Sequence, residues 1–340
     1  MARIGDHFAS YELEQLAGRR NLGVIYRARD KRLDRTVALR LIPPEIAGDP
    51  VTRARLNREA KALAALDHPN VPPVFEAGEH ENTIFIASRW IDGTNLRELV
   101  RAQGPLEPQR AVRIVNQVAS ALEAAHEIGL IHRNVKPSKV LVTPADHAYL
   151  LDFGLARRAG DLTGLTVQED LLATLNHVAP EHLDGRDADR RVDIYGLGCV
   201  LYEALTGEVP YPEPGAPAKM YAHVAAETPS VRAHRPDVSE QLDAVVRTAM
   251  AKDPAERQQT AAEFAREAAA AVDLSSPPWV KPGALGQVIR RDERPDQRFA
   301  PPVYFLRRRR RLLRHSAFTI GMLVFLAAPV ALLLALQAHT

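Results

Sequence analysis

Between Tyr11 and Trp90 the apolar residues fall in short runs with a period near two: YELEQLA, GVIYRARD, TVALRLI and TIFIASRW. From about Gly93 they recur every three or four residues instead. Successive side chains of a strand alternate between faces, whereas a helix buries one stripe, so this change of period divides the chain into a small sheet followed by a larger helical part. One helix belongs to the first part: VTRARLNREAKALAAL places Val51, Leu56, Ala60, Leu63 and Leu66 near one face. In the second, AVRIVNQVASALEAAHEIG repeats Val112, Val115, Val118, Leu122 and Ala125, with Gly129 where a C-terminal cap belongs. Further helices are expected in VDIYGLGCVLYEALTG, ending at Gly207, and in QLDAVVRTAMAK, stopped by Asp253-Pro254. There is no internal repeat.

The helical pattern fades near Val272. Residues 273–303 carry six prolines among few apolar residues and read as a linker, reaching roughly 30 Å as a flexible coil. A basic segment, 304–315, holds six arginines, Arg307 to Arg311 and Arg314, and Ser316 to Leu336 follows with no charge in twenty-one residues. At about 1.5 Å per residue that run matches the roughly 30 Å of a bilayer core. A single-pass anchor in the cell membrane is expected. Basic flanks stay cytoplasmic, which places the folded part inside and the C-terminus on the opposite side.

The formal net charge of +2 comes from those arginines. Taking the six from 44 basic residues leaves 38 against 42 acidic ones, about −4 for the rest. A mildly acidic folded part argues against nucleic acid as a partner. The first fifteen residues lack the basic-then-apolar pattern of a secretory signal. Cys199 is the single cysteine and sits in the apolar run GLGCVLYEAL, where a small buried thiol is expected.

Eight motifs follow in order: G-R-R-N-L-G-V-I-Y from Gly18, V-A-L-R from Val37, a helical Glu59, H-R-N-V-K-P-S-K from His132, D-F-G from Asp152, A-P-E from Ala179, D-I-Y-G-L-G from Asp193 and D-P-A-E-R from Asp253. Together they resemble the bacterial Hanks-type Ser/Thr protein kinases. The resemblance covers 11–272 and implies an α+β, two-lobed kinase fold, with a β-rich N-lobe over about 11–91 and a helical C-lobe over about 92–272. It also implies ATP as ligand. Its cofactor-binding positions would be Gly18, Arg20 and Gly23 of the phosphate loop, Ala38 and Arg40 on a strand, the hinge backbone near Arg89 and Ile91, and Asp152. Ser88 stands where the family usually has a bulkier residue.

The catalytic positions are Arg40, Glu59, Asn134, Lys136, Lys139 and Asp152, and several depart from the family. The inner glycines of the phosphate loop are Arg20 and Asn21; Arg20 either faces solvent or folds inward onto phosphate. Arg40 replaces the lysine that holds the phosphates and pairs with the helix glutamate, here Glu59, and its planar fork is not a neutral exchange for a point charge. Asn134 replaces the aspartate that accepts the substrate proton, and an amide is no base. Lys136 is retained. Lys139 replaces the asparagine that helps hold a second Mg²⁺, and an ammonium repels a cation rather than binding it. Asp152 is the remaining metal ligand, unless Lys139 pairs with it and substitutes for the ion.

By contrast the positions that brace the C-lobe, Asp193, Glu181 and Arg257, match the family. The expectation is a pseudokinase that docks an active kinase, a phospho-reader or an envelope-associated protein. Thr163 and Thr166 would be its phosphoacceptors, with Thr174 beside the catalytic loop. The alternative is a slow, atypical ATP-dependent Ser/Thr kinase that uses Arg20, Arg40 or Lys139 in place of the usual lysine and metal.

Overall fold

The computed structural model describes residues 4–20, 23–48, 50–153, 174–183 and 189–274. The N-terminal lobe is a six-stranded antiparallel sheet, ordered β1-β2-β3-β4-β6-β5. Its strands are β1 (His7–Phe8), β2 (Tyr11–Arg20), β3 (Gly23–Asp30), β4 (Arg35–Ile42), β5 (Val74–His80) and β6 (Thr83–Arg89). The helix α2 (Pro50–Ala65) follows a one-turn helix α1 (Pro44–Ala47). Alternation along β4 decides what each face does. Val37, Leu39 and Leu41 join Tyr11, Leu13 and Phe85 in one cluster, while Ile42 packs with Leu56 and Ala60 of α2 and with Ile84 and Ile86. Ala38 and Arg40 share the second face, opposite Ser88 and Ile86 of β6.

The strands expected at 11–17, 23–30, 36–42 and 83–90 are all present, but β5 carries no strong sequence pattern. It is an edge strand, half-buried or exposed along its length, so alternation is weak. A Cβ at its Gly78 would lie 3.1 Å from the Phe85 ring, so the ring would have to give by a few tenths of an ångström.

A three-stranded sheet, β7 (Thr94–Asn95), β8 (Val140–Val142) and β9 (Ala148–Leu150), opens the C-terminal lobe. Its helices are α3 (Leu96–Gln103), α4 (Pro108–Glu127), the one-turn α5 (Pro180–Leu183), α6 (Arg191–Thr206), α7 (Ala216–Ala225), α8 (Glu240–Ala249) and α9 (Ala261–Ala270). Val112, Val115, Val118, Leu122 and Ala125 of α4 are all fully buried, as their spacing predicts. That helix ends at Glu127, with Gly129 just beyond at φ +74°. Gly207 closes α6 in the left-handed region, its N–H donating to the Glu203 carbonyl. The helix expected to run to Asp253-Pro254 instead stops at Ala249; Asp253 caps the short 3-10 turn Pro254–Glu256 by accepting from Ala255 N–H at 2.8 Å. Cys199 is fully buried, and burial pushes its thiol pKa up, away from reactivity.

Asn70 joins the lobes. Its side-chain amide donates to the Ala148 carbonyl at 2.8 Å and to Gln117 Oε1 at 3.1 Å, and its own carbonyl accepts from Leu150 N–H at 2.8 Å. Among the described residues no helix is long and apolar enough to cross a membrane. The expected anchor 316–336, the basic segment 304–315, nearly all of the linker 273–303, and Thr163 and Thr166 lie outside the described residues.

Candidate nucleotide cleft

The loop from Gly129 to Lys139 is fixed from below. Asp193, fully buried in the first turn of α6, accepts His132 N–H at 2.8 Å and Arg133 N–H at 2.7 Å, and its Oδ2 also meets His126 Nε2 at 2.8 Å. Arg133 sits at φ +61°, a left-handed conformation that costs a non-glycine residue on the order of 1 kcal/mol. Aiming two consecutive N–H groups at one carboxylate offsets that cost. His132 is buried, its Nε2 lies 2.9 Å from the Leu151 carbonyl, and its ring meets the edge of buried Phe153 with centroids 5.0 Å apart. Burial lowers the His132 pKa, so this ring acts as a neutral packing group.

A second brace lies further down. Arg257 donates to both oxygens of Glu181 at 2.7 Å, and its other donors reach the carbonyls of Ala251, Arg191 and Lys252. Both residues are buried, and the guanidinium lies over the Tyr195 ring, 4.9 Å from its centroid. One cation meets one carboxylate with every guanidinium donor used, the condition under which a buried pair is tolerated.

The cleft above these braces is built differently. Asp152, at φ +66°, has one carboxylate oxygen against the Arg40 guanidinium and the other against the Lys139 ammonium. Arg40 is 9% exposed and Lys139 7%, so both charges are largely out of water. The contact between Lys139 and Asp152 follows from their motif positions. The one between Arg40 and Asp152 departs from the resemblance, which directs the residue at this position toward phosphate and Glu59. Glu59 is half-buried on α2.

Lys136 donates to Thr174 Oγ1 at 3.0 Å, which places Thr174 beside the loop as expected. Asn134 is half-buried, with its N–H 3.3 Å from His132 Nδ1. Gly18 lies in β2 opposite Ile25, next to a register shift, and Gly23 pairs with Arg20 at the hairpin end. Gly23 has φ +109°, and a Cβ there would fall 1.9 Å from the Leu41 carbonyl oxygen, so this position accepts only glycine. The side chain of Arg20, with Asn21 and Leu22, lies outside the described residues. Sequence reasoning missed Ile25, which stands opposite Arg40 on the same face as Ala38. Period-two counting from Arg40 across the β3–β4 pair would have found it. At the hinge, Arg89 N–H already donates to the Pro73 carbonyl at 2.9 Å, leaving its carbonyl as what it can offer a base, and Ile91 is half-buried.

This donor set does not fit Mg²⁺. The ion needs anionic or neutral oxygen ligands, and the one carboxylate provided by the metal-site motifs has both oxygens engaged by cations, one of them standing where the second oxygen ligand would be.

Two lobes joined at a hinge, a glycine-closed hairpin above the cleft and an aspartate-braced loop below it define a protein kinase fold. Residues 11–268 match the protein kinase domain family, and the chain belongs to that family as a bacterial Hanks-type Ser/Thr protein kinase domain. It is similar to Serine/threonine-protein kinase PknD of Mycobacterium tuberculosis (strain CDC 1551 / Oshkosh), 44% identical over 264 residues, which cover 77% of this chain and 40% of that protein. Serine/threonine-protein kinase PknJ of Mycobacterium bovis (strain ATCC BAA-935 / AF2122/97) is 41% identical over 292 residues, covering 84% of this chain and 49% of that protein. The chain thus spans less than half the length of these relatives. Among solved structures, the kinase domain of Mycobacterium tuberculosis PknI aligns at 28% identity with a TM-score of 0.64, over 80% of this chain and 99% of that one.

Proposed function

We propose that the chain is a pseudokinase: a kinase-fold module that docks or regulates other components of bacterial phospho-signalling rather than transferring phosphate itself. The single observation that carries this reading is the state of Asp152, held by Arg40 and Lys139 where a kinase would present it to a metal ion. Asn134 adds to it, since an amide cannot accept the substrate hydroxyl's proton, and loss of a general base alone costs about 10² to 10⁴ in rate. The frame around these positions is intact, with Asp193 under the loop, Glu181 on Arg257 and His132 against Phe153. A frame that holds its shape without the groups for transfer suits recognition by another protein, such as an active kinase, a phospho-reader or an envelope-associated protein. The uncharged run 316–336 behind six arginines supports a membrane tether for it, with the folded part cytoplasmic. Thr163 and Thr166 would be where an active kinase marks it.

The second reading, a slow atypical ATP-dependent Ser/Thr kinase, is favoured by one feature: Arg40 and Lys139 bring two cations together at Asp152, where phosphate charge would develop. Phosphotransfer by the full chain in detergent micelles, onto itself and onto a generic Ser/Thr substrate, separates the two. The pseudokinase reading predicts no turnover above background and a gain of less than about tenfold for Asn134→Asp, because the metal site stays closed. A gain of about 10² or more on restoring that carboxylate would instead reveal an otherwise assembled enzyme.

A further inference from the structure

We infer that a cavity between α3 and the C-terminal end of α6 is a recognition pocket for a phosphorylated Ser or Thr side chain of another protein. The cavity holds about 150 Å³ and is lined by Arg97, Val100 and Arg101 of α3, by Glu203 and Gly207 at the end of α6, and by Asn176. Sites for drug-sized ligands and cofactors run to about 300–1,000 Å³. This one is too small for them and suits the head group of a single side chain. None of the cleft positions described above lines it.

The polar groups on its wall decide what can enter. Glu203 is the one carboxylate on the described lining. Its Oε2 lies 2.7 Å from Nε2 of buried His177, and its Oε1 lies 3.6 Å from Nε of Arg97. Burial lowers the His177 pKa in spite of that carboxylate, so the ring is neutral and donates Nε2–H to it. An entering cation would therefore find both Glu203 oxygens engaged and two guanidiniums beside them.

An anion finds the opposite. Arg97 and Arg101 stand four residues apart on α3 and so share one face, a turn from each other. Arg97 faces Glu203 with its Nε, and its terminal nitrogens make no hydrogen bond among the described residues; the side chain is 18% exposed. Arg101 is exposed and makes no hydrogen bond or ion pair among the described residues. Asn176 adds a neutral amide to the wall. A carboxylate has two oxygens, enough for one guanidinium fork. Two forks call for more acceptors, and a phosphoryl group on Ser or Thr brings three outer oxygens with a charge of about −1.5 to −2.

The inference rests on the pseudokinase reading only for the expectation of a protein partner, and binding is measured apart from phosphotransfer. A chain that binds a phosphothreonine peptide and also turns over would keep this inference and remove that reading; a chain that does neither would do the reverse.

The test is fluorescence anisotropy of a labelled phosphothreonine peptide with uncharged flanking residues, titrated with the full chain in zwitterionic micelles. Binding at least about tenfold tighter than that of the unphosphorylated peptide is expected, and equal affinity overturns the inference. A peptide with glutamate in place of phosphothreonine should bind several-fold more weakly; an equal affinity would make this a carboxylate site and contradict the phosphate assignment. Inorganic phosphate should compete at least about tenfold less well than unlabelled phosphopeptide, and equal competition would show an anion site without a protein partner. Arg97→Gln and Arg101→Gln should each weaken binding about tenfold. Arg101→Gln decides the matter if the first variant does not fold, because Arg101 ties no other group in place. Unchanged binding in the double variant would trace the peptide to the arginines of 304–315 and overturn the inference.

Discussion

The brace and the cleft use the same kinds of groups in different proportions. Under the C-lobe, Glu181 meets one guanidinium whose remaining donors all find carbonyls, and Asp193 is satisfied mainly by backbone N–H groups. In the cleft, Asp152 faces Arg40 and Lys139 together. Balance in the first region produces rigidity. In the second, two cations close both oxygens of the one carboxylate on which a metal ion would depend. The difference teaches that this chain kept the parts of the kinase frame whose charges cancel internally and altered those whose charges in a kinase are cancelled by ligand and metal.

The comparison breaks most visibly by removing one cation from each region. Arg257→Ala leaves Glu181 buried without a partner and should cost about 3–5 kcal/mol, read as a lowered urea midpoint of the full chain. Lys139→Ala leaves Asp152 still paired with Arg40 and should cost about 1 kcal/mol or less. Equal losses would show that the cleft is balanced in the same way as the brace.

Acid sharpens the contrast by a smaller amount. Burial lowers the pKa of His68, His132, His177 and His182, and it pushes that of His223 down to about 3, helped by the nearby charges of Lys252 and Lys219. His223 lies fully buried on α7, with Nδ1 2.7 Å from the Tyr195 hydroxyl. An unfolded chain takes up protons at these positions below about pH 6.5 and the folded one does not, so stability is full above that pH and falls as pH drops. His223→Gln should remove about 2 kcal/mol of the loss between pH 7 and pH 5, measured by urea unfolding at both values. An unchanged slope would place the acid-sensitive groups elsewhere.

Much of this arrangement could be read from residue order. Buried Leu56 and Ala60 of α2, the buried stripe of α4, the stop at Gly207 and four of the six large-sheet strands follow from period and punctuation. The pairing of Glu181 with Arg257 and of Lys139 with Asp152 follows from motif positions. What stayed hidden depends on distance through space. β5 carries an edge strand's weak pattern, α8 ends at Ala249 before any breaker, and the reach of Arg40 to Asp152 across the cleft has no local signature, since either carboxylate, Glu59 or Asp152, would serve an arginine at that strand position.

The most direct test of the central claim, that Asp152 is neutralised by the chain's own cations rather than by a metal, is electron paramagnetic resonance of Mn²⁺ titrated into the full chain and into Lys139→Asn. The account predicts no protein-bound Mn²⁺ signal in the unmodified chain at up to about 1 mM metal, and a bound signal in the variant, whose restored amide oxygen can join Asp152 as a ligand. Saturable Mn²⁺ binding by the unmodified chain that disappears in Asp152→Asn would contradict it.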